Sequence, residues 1–238
     1  MKRPGSCIWS LKGKTNWDKV IQVREPHDHP LAEVARREVL ERFAGTALSG
    51  KYIPKPPVRG PFGAASIMLM EGAVPVSKPT FRIGRERREI QKRLVQEIVA
   101  ADKVETGAGA WNLPSFLVPK KELGKFRMVQ DFRPLNEVTV KDGHPLPRIN
   151  DILLRQGQCR IWSKLDLVDG YHQMPIREED RPKTCMSSPI GTVQWKVLSM
   201  GLKNAGSQFQ RMMEWVLQDC AEFATAYLFI YLFGPRDD

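Results

Sequence analysis

Asp166 is the carboxylate best placed to do chemistry. It lies in the run Ser163-Lys-Leu-Asp-Leu-Val-Asp-Gly-Tyr-His-Gln173. Read with a period of two, Ile161, Leu165 and Leu167 share one face, while Trp162, Lys164 and Asp166 share the other. That pattern describes a half-buried strand whose outer face ends in a carboxylate, next to a turn at Val168-Asp169-Gly170. A carboxylate so placed can serve a hard divalent cation, or it can be an ordinary turn residue. Asp169 reads as a capping residue rather than a ligand. His27-Asp-His29 offers two imidazoles, but no third ligand is near, so it reads as a loop ahead of a helix.

The elements that must hold Asp166 follow from periodicity. A helix is predicted over 31–43, opened by Pro30, with Leu31, Ala35, Val39 and Phe43 on one stripe. Four prolines between 51 and 63 make a linker. A second helix is predicted over 85–101, its apolar face built from Ile90, Leu94, Val95, Ile98 and Val99. Phe116–Val118 and Phe126–Val129 form a hairpin around a turn at 122–124. A short helix over 148–156 leads into the Asp166 strand, which Met174–Ile176 continues. Thr184–Ser188 pairs with Val193–Val197 across Pro189-Ile190-Gly191. Asn204 caps a helix to about Leu217, with Phe209, Met212, Met213 and Val216 inside. Phe223–Phe233 reads as one central strand, apolar on both faces. Residues 1–30 show no sustained period and read as irregular.

Composition sets the class. The 238 residues, 42% apolar and 27% charged, suit a globular protein with a real core. The net charge of +10 is concentrated early: residues 1–60 hold 12 basic and 6 acidic side chains, residues 111–238 hold 17 and 15. A basic chain suits a polyanionic partner. The four cysteines are scattered without a CxxC pair, which points to reduced thiols. No signal peptide or membrane-spanning run is visible, so an intracellular protein, cytoplasmic or nuclear, is expected, with no membrane partner.

The Asp166 run resembles the first catalytic-aspartate motif of reverse transcriptases, most closely those of gypsy-type LTR retrotransposons. The resemblance extends over about 73–228. Phe116-Leu-Val-Pro-Lys-Lys121 and Lys125-Phe-Arg-Met-Val-Gln-Asp-Phe-Arg-Pro-Leu-Asn136 are similar to the family's fingers, and His144-Pro-Leu-Pro-Arg-Ile149 to its Pro-Leu-Pro-Arg-Ile segment. Gly201-Leu-Lys-Asn-Ala205 and Gln208-Phe-Gln-Arg-Met212 resemble its Gly-Leu-x-Asn-Ala-Pro…Phe-Gln-Arg helix. Met200 and Gly206 replace the family's Phe and Pro.

The resemblance implies an α+β fold, the fingers and partial palm of a right-hand polymerase, with an antiparallel palm sheet packed on helices and the thumb absent. The implied boundaries are a basic leader over 1–63, then fingers and palm over 64–238. The implied activity is RNA-directed DNA polymerisation, with Mg2+ as cofactor and an RNA/DNA template-primer and deoxynucleoside triphosphates as partners. Carried over by motif, Asp166 is catalytic and binds metal together with the carbonyl of Leu167. Lys120 and Arg127 contact the incoming triphosphate, Tyr171 closes the sugar pocket, and Gln210 lies at the nucleotide.

One departure matters most. The family's second metal-binding motif is Tyr-x-Asp-Asp, but the matching stretch reads Tyr227-Leu228-Phe229-Ile230. Nucleotidyl transfer uses two metal ions about 3.5–4 Å apart, and one carboxylate is too little to hold both. Asp237 and Asp238 follow Gly234-Pro235-Arg236 and do not replace the pair. An inactive polymerase is therefore expected, with a non-catalytic nucleic-acid-binding module or a functionless relic as the alternatives. An uncovered Phe229–Phe233 strand, and hence poor solubility, is also expected.

Overall fold

The computed structural model describes residues 8–10, 62–156, 162–167, 169–221, 224–227 and 230–233. The predicted helix over 31–43, most of the Pro-rich linker and the His27/His29 pair lie outside the described residues.

Among the described residues, nine strands and four α-helices follow one another. They are β1 (Ile8–Ser10), α1 (Arg85–Ala100), β2 (Val104–Thr106), β3 (Ser115–Pro119), β4 (Phe126–Gln130), α2 (Arg133–Glu137) and α3 (Ile149–Gln156). Then come β5 (Trp162–Asp166), β6 (Met186–Ser188), β7 (Gly191–Trp195), α4 (Ala205–Val216), β8 (Ala224–Tyr227) and β9 (Ile230–Phe233). The chain divides into two compact units. One comprises Met1–Tyr52, Pro145–Gly170 and Gln210–Asp238; the other comprises Ile53–His144 and Tyr171–Phe209.

The first unit is organised by a four-stranded sheet of order β1-β5-β9-β8. β5 runs antiparallel to β9, and β1 lies parallel to β5 on its other side. Two expectations are corrected here. Residues 8–10 are not irregular, because Ile8-Trp9-Ser10 finds backbone partners in β5. The stretch Phe223–Phe233 is not one strand but a hairpin: β8 and β9 pair antiparallel, with Tyr227 opposite Ile230. β9 is therefore hydrogen-bonded on both edges, to β5 and to β8. Ile230–Phe233 is thus not an open strand edge, which removes the edge-pairing argument for aggregation; Phe229 lies outside the described residues. Ile152 of α3, Met212 and Met213 of α4, and Ala224 and Ala226 of β8 are buried.

The second unit holds a three-stranded sheet, β2-β7-β6, and the two-stranded β3–β4 hairpin. Its fully buried side chains include Val95, Leu113, Leu135, Met174, Ile176, Met186, Leu198 and Phe209. α1 has the predicted span, but its buried positions are Gln91 and Val95, and Val99 is largely exposed. The reason is Gln91, whose Nε2 donates to Ser115 Oγ at 2.9 Å and so fixes the helix against β3. Met174–Ile176 does not continue β5. The chain first makes a 3-10 turn over Gly170–Gln173, then joins its neighbours by single bridges, Ala65 to Ile176 and Pro175 to Val197. Nor does the Asn204 side chain act as a helix cap. Its amide bridges to residues 140–142 instead, accepting from the Asp142 N–H and donating to the Val140 carbonyl.

Candidate active site

β5 carries Asp166 as its last residue, and the register of the sheet decides what stands beside it. Asp166 is opposite Ile230 across the β5–β9 ladder, and Ile230 is opposite Tyr227 across the β8–β9 ladder. Opposed residues in antiparallel strands have their Cα atoms about 4.5–5.5 Å apart. The register thus sets Ile230, an apolar residue, next to Asp166. Phe229, the other residue at the pair position, lies outside the described residues. Leu167 follows directly and is half-buried. Asp169 takes a left-handed backbone, φ 51°, a conformation that aspartate tolerates better than most residues. Among the described residues no group of three His, Cys, Asp or Glu side chains could hold a metal ion. Of the two paired positions at the end of β5, Asp166 offers a carboxylate and Ile230 offers none.

Gln210 belongs to the same unit. It is fully buried, and its Nε2 donates to the Ala226 carbonyl at 3.0 Å and to Glu214 Oε1 at 2.9 Å. Its amide therefore braces β8, the strand that delivers Tyr227.

The remaining candidates lie in the second unit. β3 and β4 pair in register, Ser115 with Gln130 and Val118 with Arg127, around a tip where Gly124 turns at φ 74° and Leu123 is fully exposed. Alternation gives the hairpin two faces. Ser115 and Gln130, both buried, share the face that meets α1. Arg127 stands on the opposite face with Phe116, Val118 and Val129, and is exposed. Lys120 follows β3, its N–H donating to the Lys125 carbonyl at 2.8 Å, and Lys125 pairs with Glu122 across the tip. A hairpin that offers a half-buried Lys120 and an exposed Arg127 from one end is chemically suited to phosphate oxygens. Tyr171 is half-buried, its ring edge-on to Phe209 at 5.4 Å, and burial raises its phenol above the usual range. Next to the hairpin, Asp131 accepts a two-pronged hydrogen bond from Arg133, Nε at 2.9 Å and a terminal nitrogen at 2.8 Å. That contact holds the Asp131 carboxyl below the ordinary aspartate range.

Comparison with known proteins decides what this scaffold is. Residues 118–233 match the family model described as reverse transcriptase (RNA-dependent DNA polymerase). The chain carries a reverse transcriptase domain. Among its relatives, the retrovirus-related Pol polyprotein from transposon 412 of Drosophila melanogaster is 37% identical over 144 residues, 58% of this chain and 12% of the relative. That from transposon gypsy of the same organism is 37% identical over 130 residues, 52% of this chain and 13% of the relative. The chain thus spans about an eighth of the length of these retrotransposon Pol polyproteins. Among solved structures, the foamy viral protease-reverse transcriptase in complex with RNA/DNA hybrid superposes with a TM-score of 0.73 at 16% identity, covering 88% of this chain and 27% of that one. That likeness shows the fold, the α+β architecture of a partial reverse transcriptase.

The reverse transcriptases depend as a family on divalent cations. No helix among the described residues is long and apolar enough to cross a membrane. The family motifs were legible in the sequence, whereas the bracing roles of Gln91 and Gln210 were not. Nothing in the neighbourhood of either residue in the chain names its partner.

Proposed function

We propose that the domain has the architecture of an RNA-directed DNA polymerase but retains only part of the metal centre, so that it binds nucleic acid and nucleotide without extending a primer. The observation that carries this reading is the pairing of Asp166 with Ile230. Mg2+ is the cation expected of the family's chemistry. Asp166 and the Leu167 carbonyl would be two of its ligands, and Ile230 could supply none. Two cations carry four positive charges, and one carboxylate cannot balance them at close range.

The substrate-facing groups support the binding half of the reading. Lys120 and Arg127 are placed on one hairpin to hold the triphosphate, and Tyr171 is the side chain to close against a ribose 2′-hydroxyl. Gln210 contributes by holding β8 rather than by reaching outward. The polyanion partner is a template-primer, consistent with the RNA/DNA hybrid in the foamy viral relative. The portion 64–238 is the polymerase part, and 1–63 is a basic leader that lends β1 to the sheet.

Primer extension tests the reading. Purified chain, an RNA template with an annealed DNA primer, and deoxynucleoside triphosphates should give no elongation with Mg2+ or Mn2+. Elongation that vanishes in Asp166→Ala would sink the proposal.

A further inference from the structure

The two proposed nucleotide contacts in the second unit, the β3–β4 hairpin and Tyr171, are joined by a continuous chain of packed side chains, buried at Gln130 and Trp195 and half-buried at His172. It begins at Gln130, three residues beyond Arg127 on the same strand. Gln130 is buried and uses both ends of its amide: Oε1 accepts from Trp195 Nε1 at 2.7 Å, and Nε2 donates to the Thr184 carbonyl at 2.9 Å. Trp195 of β7 is buried too, and its backbone N–H donates to Thr184 Oγ1 at 2.9 Å. Backbone and ring nitrogen are thus both fixed, leaving the indole a single orientation. The His172 ring stacks on it, centroids 5.4 Å apart and planes within 18° of parallel. His172 adjoins Tyr171 in the 3-10 turn Gly170–Gln173.

The geometry of that turn makes the link useful. Successive residues of a 3-10 helix project about 120° apart, so the Tyr171 and His172 rings leave the turn in different directions. Each meets its own aromatic partner: Tyr171 is edge-on to Phe209, and His172 is stacked on Trp195. A turn gripped at two rings cannot rotate about its axis, whereas a turn gripped at one can.

We infer that Gln130 and His172 are positioning residues for sugar recognition, setting the angle of Tyr171 relative to the hairpin that carries Lys120 and Arg127 through the Gln130–Trp195–His172 link. This rests on the reading of Tyr171 as the residue that closes against a 2′-hydroxyl and of the hairpin as the triphosphate contact. Removing the Gln130 amide leaves the buried Trp195 N–H without an acceptor, and the indole must shift to find one. The His172 stack moves with it, and Tyr171 turns away from the sugar. Triphosphate contacts made by Lys120 and Arg127 stay where they are. The signature is therefore loss of discrimination without loss of affinity, which a general loosening of the fold would not produce.

The test is calorimetric titration of dATP and of ATP, each with Mg2+, into the wild-type chain, Gln130→Leu, His172→Leu and Arg127→Ala. The wild type should bind dATP roughly tenfold more tightly than ATP, a difference in the range of one steric or hydrogen-bonding contact. Gln130→Leu and His172→Leu should each bring the two affinities within about threefold while leaving dATP affinity nearly unchanged. Arg127→Ala should weaken both nucleotides together and keep the ratio. Should Gln130→Leu fail to fold, His172→Leu carries the decision from the other end of the link. A wild type that binds neither nucleotide, or both equally, overturns the site reading and this inference with it. A wild-type preference that survives in His172→Leu overturns this inference alone.

Discussion

Ile230 is the residue on which the chemistry turns. The sheet register places it beside Asp166, and no change of backbone is needed to put a carboxylate there. Phe229→Asp with Ile230→Asp should therefore raise Mg2+ affinity by about an order of magnitude through ligand charge alone, measured by titration calorimetry. The gain should disappear when Asp166→Ala is added. Equal affinity in the wild type and the double variant would show that the register does not bring the three positions together. A second residue-scale consequence concerns acid. Asp131 is held below its ordinary pKa, first by the Arg133 hydrogen bonds, so its contribution is fully present above about pH 4, the unfolded aspartate value. It is lost as pH falls through the lower folded value. Asp131→Asn should reduce stability at neutral pH and flatten the acid limb of a denaturation curve followed from pH 6 to pH 2. An unchanged limb would mean that other carboxylates govern acid unfolding.

At the scale of elements, the sheet of the first unit depends on β9, which is paired on both edges. Leu232 is opposite Lys164 on one side and Thr225 on the other. A proline there deletes a ladder hydrogen bond whichever way its N–H points, which central strands do not tolerate. Leu232→Pro should abolish the cooperative unfolding transition of the sheet, read by circular dichroism and hydrogen exchange. In the second unit, Phe209 is fully buried beneath Tyr171, and Phe209→Ala should cost about 3–5 kcal/mol in chemical denaturation. The elements also show where a single sequence is readable. The β3–β4 hairpin announces itself by a Gly in the turn and strand residues on either side, and the Asp166 strand by its alternation. The β8–β9 hairpin does not. Leu228 and Phe229, between β8 and β9 in the sequence, are not turn-forming residue types, so Phe223–Phe233 reads as one apolar strand. β1 is three residues long, too short to show any period. Gln130 is hidden for a different reason: its partner Trp195 lies 65 residues away, and only the folded chain brings the two together.

For the whole molecule, the proposed activity is binding of nucleic acid without primer extension. The net charge of +10 and the basic hairpin end predict salt-sensitive, sequence-independent binding to single strands and hybrids. Replacing Lys120, Lys121, Lys125 and Arg127 with Ala should flatten the dependence of log affinity on log salt by up to about 0.9 per phosphate contact removed, as followed by fluorescence anisotropy. A slope unaffected by the four substitutions would move the nucleic-acid surface elsewhere. The central claim is narrower and can be reached directly. Mn2+ is a paramagnetic stand-in for Mg2+, and two Mn2+ ions held about 3.5–4 Å apart, as in a two-metal centre, couple magnetically. Electron paramagnetic resonance of the wild-type chain with Mn2+, template-primer and deoxynucleoside triphosphate should show only isolated Mn2+ at every metal concentration. A coupled Mn2+ pair in the wild type, lost in Asp166→Ala, would contradict the account.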